Sequence, residues 1–148
     1  MSIAPASPEE LIKILQYRHR VMLASRTSKM PGEFKDKNNF AGDTTFVDFN
    51  LVKGTLIKGF NYYHTLTSPF AKAIFMMFMT SEIHPFLDDN GRIARVMMNA
   101  ELSKAGESKI IIPNVFISLV RWSMEKILIR CENFLILQTH SPIVAKQY

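Results

Sequence analysis

Apolar positions recur at helical spacing along most of the chain. Leu11, Ile12, Leu15 and Val21-Met22 mark one face of a first helix. Its start is explicit: Ser7 is placed to cap, Pro8 suits the first helical position, and Glu10 completes a capping box. The pattern predicts a helix from Pro8 to about Ser25, before the break at Pro31-Gly32. Leu51 to His64 reads as helical again, although Gly54 and Gly59 weaken the pattern. Ser68-Pro69 repeats the cap-plus-proline start and opens the most apolar stretch, which ends near Ile83. With Lys72 inside it and Glu82 and His84 at its end, it is shorter than the roughly 20 apolar residues that cross a bilayer. It reads as a buried helix, with Met76, Met77 and Met79 as core packing. Gly91 to Lys104 predicts a further helix closed by Gly106. Asn114 can cap a last helix from Val115 to about Asn133, with Phe116, Leu119, Val120, Ile127, Leu128 and Cys131 on one side.

Between Glu33 and Phe49 the pattern changes. Asn38-Asn39 and Gly42-Asp43 are turn signals, and Thr44-Thr45-Phe46-Val47 is a β-prone run, so a short hairpin or ordered flap is expected. Ile110-Ile111-Ile112 is a short apolar run stopped by Pro113. No internal repeat, low-complexity segment or interdomain linker stands out. The expected architecture is all-α with one small β-hairpin, a single domain over residues 8–137, with 1–7 and 138–148 as loose termini.

Composition agrees with a globule: 148 residues, 47% hydrophobic and 21% charged. The net charge of +5 is spread without a Lys/Arg run, so neither a nucleic-acid partner nor a charged tail is expected. The first residues lack the basic start and apolar run of a signal peptide, and no membrane partner is expected. Cys131 is the single cysteine, which excludes an intramolecular disulfide and makes a reducing cytoplasm the expected compartment. His19, His64, His84 and His140 are scattered without zinc-site spacing, and no Gly-x-Ser-x-Gly occurs, so metal-dependent and serine hydrolases are disfavoured.

One loop concentrates chemistry: His84-Pro85-Phe86-Leu87-Asp88-Asp89-Asn90-Gly91-Arg92-Ile93-Ala94-Arg95. It joins the apolar helix to the start of the next one. Helix N-termini present N–H groups and partial positive charge, which suit phosphate. Asn90-Gly91 can turn the backbone into an anion-binding nest, and Arg92 and Arg95, three apart, share a helix face beside it. Two guanidiniums there suit a polyphosphate. Asp88 offers a hard oxygen to Mg²⁺ held between protein and phosphates, and His84 is a base for an attacking hydroxyl. Singly these residues have ordinary structural roles. As a set they point to transfer of a phosphate-containing group from a nucleotide.

The segment resembles the Fic-domain signature, His-Pro-Phe-x-[Asp/Glu]-Gly-Asn-Gly-Arg-x-x-Arg, at His84, Pro85, Phe86, Asp88, Asn90, Gly91, Arg92 and Arg95. Pro31-Gly32-Glu33-Phe34-Lys35, Asn39-Phe40-Ala41-Gly42, Val52-Lys53-Gly54-Thr55-Leu56 and Met97-Met98-Asn99-Ala100-Glu101-Leu102 also resemble bacterial Fic proteins, so the likeness covers roughly residues 8–116. The resemblance implies a compact helical domain that moves AMP from ATP, with Mg²⁺, to a Tyr, Ser or Thr hydroxyl of a target protein. His84 would be the general base, Phe86 the loop's anchor and Asp88 the Mg²⁺ ligand. Asn90, Gly91, Arg92 and Arg95 would hold phosphates. Thr44, Thr45, Phe46 and Val47 would form the flap that aligns the target by strand addition.

Three departures accompany the likeness. Asp89 stands where the signature has Gly, which implies backbone strain of about 1–2 kcal/mol and a like charge beside the phosphates. The expectation is reduced turnover. A weak or inactive binding module, or a phosphoryl transferase resembling the Doc toxins, is the alternative. After Phe116 the chain leaves the family's usual pattern. Finally, many relatives carry an inhibitory [Ser/Thr]-x-x-x-Glu-[Gly/Asn] helix. Four residues before Glu132-Asn133 stands Leu128 instead, so a separate antitoxin-like protein, or an N-terminal region absent from this sequence, is the expected regulator.

Overall fold

The computed structural model describes residues 4–42 and 44–112, and every element below belongs to the unit spanning 1–110. The last helix, Cys131, Glu132-Asn133 and the 137/138 boundary expected from the sequence lie outside the described residues. Among the described residues there are four α-helices, α1 (Pro8–Met22), α2 (Val52–Thr65), α3 (Pro69–Ile83) and α4 (Asn90–Lys104), and one hairpin of β1 (Phe40–Ala41) and β2 (Thr44–Thr45).

The helix ends follow from local chemistry. Ser7 Oγ accepts from the Glu10 N–H at 3.2 Å, and Glu10 Oε2 accepts in return from the Ala6 N–H at 2.8 Å. Ser68 caps α3 by accepting from the Ala71 N–H. α4 closes with a Schellman pattern: the Glu107 N–H donates to the Leu102 carbonyl and the Gly106 N–H to that of Ser103, with Gly106 at φ +76°.

α3 is the central helix and packs most extensively on α4. Its Met76 and Met79 meet Leu11, Ile14 and Leu15 of α1, Val52, Leu56 and Phe60 of α2, and Ile93 and Met97 of α4 in one core. The buried stripe of α1 is Leu11, Ile14, Leu15 and His19, not the expected Leu11, Ile12, Leu15 and Val21-Met22. Val21 is exposed, and the helix stops at Met22 rather than near Ser25. Gly59, which weakened the sequence reading of α2, marks a close crossing: a Cβ there would stand 2.5 Å from Met79 Sδ. The Tyr63 hydroxyl donates to Glu101 Oε2 at 2.9 Å and ties α2 to α4, and burial raises the Glu101 carboxyl above its ordinary value.

The hairpin is shorter than the β-prone run. Phe40 pairs with Thr45 and Ala41 with Thr44, and Gly42 enters the turn at φ +58°. Phe46 and Val47 leave the ladder and turn inward, Phe46 to full burial and Val47 against the core. No helix among the described residues is long and apolar enough to cross a membrane.

Candidate functional site

The loop from His84 to Asp89 is suspended between α3 and α4, and much of what holds it comes from residues 19–39. Phe86 is fully buried, stacked on the His19 ring at 3.7 Å and tilted against Phe34 at 5.3 Å. His19 accepts at Nδ1 from the Gly32 N–H at 3.0 Å, so its proton sits on Nε2, which donates to the Asp88 carbonyl at 3.2 Å. Burial lowers the His19 pKa and favours this neutral form. The Lys35 N–H donates to the Pro85 carbonyl, and Lys35 Nζ reaches Asn39 Oδ1 and the Ile83 carbonyl. Asn39 Nδ2 donates to the Phe86 carbonyl at 2.9 Å. Three side chains remote in sequence thus hold carbonyls of residues 83, 86 and 88. None of the three was singled out for this role from sequence. The available signal was His19 itself, a polar residue continuing the Leu11–Leu15 stripe at the same spacing.

His84 ends α3 in the left-handed region, φ +49°. Its Nδ1 lies 2.6 Å from the Ser81 carbonyl, which can only accept, so Nδ1 carries a proton and donates it there. Phe46 of the flap stacks on the His84 imidazole at 3.5 Å and 12°. Thr44 and Thr45 stay on the hairpin ladder, away from that contact.

Asn90 has a different place from the one its motif position suggested. Its side chain is buried, accepts from the Phe86 N–H at 2.9 Å and donates to the Phe86 carbonyl at 2.7 Å. The turn is made by Asp89, at φ +57°, rather than by Asn90-Gly91, which already belong to α4. As first-turn residues, Asn90 and Gly91 direct N–H groups out of the helix end, where no intrahelical acceptor exists.

The charges converge at that end. Asp89 Oδ1 is 3.1 Å from Arg92 Nε, and Oδ2 is 3.1 Å from Arg26 Nη1. Asp88 Oδ2 is 3.1 Å from Lys29 Nζ, and this bond is the main reason its carboxyl titrates below the ordinary value. Asp89 is therefore not a bare like charge: a guanidinium sits on each of its oxygens. Arg95 Nη1 is buried with no hydrogen-bond partner among the described residues, and it lies 3.6 Å from where a Cβ on Gly91 would stand. An unsatisfied guanidinium N–H beside a helix N-terminus is a donor for an anion.

No group of three or more His, Cys, Asp or Glu that could hold a metal occurs among the described residues. Among the described residues at the site, Asp88 offers the more accessible carboxylate, its side chain 37% exposed against 11% for Asp89. A hard cation there must share its remaining ligands with phosphates and water, which is how Mg²⁺ is commonly held. The arrangement fits that ion, with Lys29 exchanging off Asp88. In sum, an imidazole oriented by an Nδ1–H bond to a backbone carbonyl, one hard oxygen ligand and a cationic helix end stand on one short loop.

Residues 7–102 match the Fic/DOC family. The chain is 34% identical over 80 residues to a Fido domain-containing protein of Dictyostelium discoideum, across 51% of this chain and 56% of that protein. It is 31% identical over 106 residues to a protein adenylyltransferase Fic of Drosophila yakuba, across 69% of this chain and 21% of that one. It thus spans little more than half of the first relative and about a fifth of the second. In three dimensions it resembles a Fic domain containing signaling protein of Bacteroides thetaiotaomicron, with TM-score 0.63, 22% identity, 81% of this chain and 47% of the other. A Fic family protein of Desulfovibrio desulfuricans aligns with TM-score 0.55 and 18% identity over 64% of this chain and 30% of its own. At these identities the structural likeness shows the fold.

Proposed function

Because the chain belongs to the Fic/DOC family, we propose that it is a protein adenylyltransferase, moving AMP from Mg²⁺-bound ATP to a Tyr, Ser or Thr hydroxyl of a target protein. The supporting observation is the orientation of His84. With Nδ1–H donated to the Ser81 carbonyl, Nε2 is the ring nitrogen whose proton is gained and lost. In this reading the target hydroxyl attacks the α-phosphorus and its proton passes to His84 Nε2. The bond from that phosphorus to its bridging oxygen breaks, and pyrophosphate leaves. Arg95, Arg92 and the N–H groups of Asn90 and Gly91 bind the phosphates. Asp88 would hold Mg²⁺, which when bound would neutralise phosphate charge. Phe46 packs on a face of the His84 ring, while the Nε2 edge lies in the ring plane, so the hairpin stands beside the base, where a flap that places the target segment is needed.

Transfer of label from ATP marked at the α-phosphate, in lysate and on the protein itself, tests this. His84→Ala should lower transfer by about 10²–10⁴-fold, the range of a general base, while Mg-ATP binding stays within about threefold, well under one hydrogen bond to a charged group. Equal transfer by wild type and His84→Ala would refute the assignment.

A second reading, a nucleotide- or protein-binding module without turnover, is favoured by Phe46 lying on His84 and by Asp89 occupying Arg92. It predicts nucleotide binding with no α-label transferred. Transfer of γ-label instead would identify a phosphoryl transferase.

A further inference from the structure

Arg26 follows α1, far in sequence from the loop, yet its Nη1 meets Asp89 Oδ2 at 3.1 Å. The other Asp89 oxygen meets Arg92 Nε at the same distance. The Asp89 side chain is 11% exposed, whereas that of Arg26 is 52% exposed. The geometry is that of a relay: an exposed cation holds an enclosed carboxylate, which in turn holds a guanidinium at the head of α4. With one carboxylate between two guanidiniums, the group carries a net +1. Without Arg26 it is neutral, and the end of the helix where phosphates are proposed to bind loses one positive charge.

We infer that Arg26 is a positioning residue of the nucleotide site, acting through Asp89 to keep the Arg92 end of α4 receptive to phosphate. This rests on the nucleotide reading above and adds to it a residue outside the motif. Because Arg26 is half exposed, its ion pair adds little to folding, so its loss should appear in ligand binding rather than in stability. The inference also fixes the sign of a coupling: Arg26 matters most while Asp89 carries its charge, its direct reach to Asp88 being the weaker interaction.

The test is a four-protein cycle of wild type, Arg26→Gln, Asp89→Gly and the double variant. Each is titrated calorimetrically with Mg-ATP, and each has its thermal midpoint measured. Arg26→Gln should weaken binding roughly tenfold in the wild-type background, the scale of one compensating charge a few Å from an anion near the surface. In the Asp89→Gly background the same change should cost less than about twofold, below the level that separates coupled from independent sites. Arg26→Lys, which keeps the charge, should restore most of the wild-type affinity. An equal loss from Arg26→Gln in both backgrounds, or no loss in either, overturns the inference while leaving nucleotide binding intact. Absence of saturable Mg-ATP binding in all four folded proteins overturns the nucleotide reading, and the inference with it.

Discussion

Replacing Asn90 by Ala tests whether this loop is held by one inward-turned amide. The change deletes two bonds to the Phe86 backbone, one accepted at 2.9 Å and one donated at 2.7 Å. The two losses are unequal. The Phe86 carbonyl keeps a second donor in Asn39 Nδ2 at 2.9 Å. The Phe86 N–H has no other partner among the described residues and is enclosed with its fully buried ring. Leaving that donor unsatisfied costs about 1–3 kcal/mol, and losing the second, replaceable bond about 0.5–1.5 kcal/mol. Alanine recovers a few tenths through helix propensity. The expected destabilisation is about 1–4 kcal/mol, a large share of the roughly 5–15 kcal/mol of a typical domain. Equilibrium urea unfolding should show the midpoint lowered by about 0.5–2 M for an m-value near 2 kcal/mol/M. Native-state hydrogen exchange should show the Phe86 amide losing protection more than its neighbours. A loss below about 0.5 kcal/mol with Phe86 exchange unchanged would refute the claim that Asn90 serves the loop rather than the solvent side.

Two further outcomes follow from the same contacts. Burial depresses the His19 pKa below its ordinary value of 6.5, so below that pH the unfolded chain binds a proton that the folded one resists; stability should therefore be fully present above pH 6.5 and fall as the pH drops, by up to about 1.4 kcal/mol per pH unit, and His19→Gln should flatten that segment of the unfolding-versus-pH curve. Phe46→Ala strips the ring that lies on the His84 imidazole at 3.5 Å and should speed modification of His84 by diethyl pyrocarbonate, whereas an unchanged rate would mean that the flap does not cover it.

The helices were largely legible because their signals are local. Ser7-Pro8 and Ser68-Pro69 name two starts, and Gly106 names an end. These depend on capping groups a few residues apart, which a sequence displays directly. The end of α1 and its buried stripe were less so. Val21 continues the apolar period, but the partner helices accept Ile14 and His19 instead. That choice belongs to packing, which periodicity alone does not specify.

The sequence by itself determined the helical class, the hairpin, the loop that carries the chemistry and the family to which the chain belongs, because each is written in spacings of a few residues or in one contiguous motif. Only the tertiary structure decided how the motif's residues are used. It turned Asn90 inward, placed the strained turn at Asp89, set Phe46 on His84, and brought His19, Lys35 and Asn39 to the loop's carbonyls. It also brought Arg26 and Lys29 onto Asp89 and Asp88. The physical reason is that buried backbone groups and close charges must find partners, and those partners are chosen by distance in space across separations of tens of residues, which no local pattern encodes.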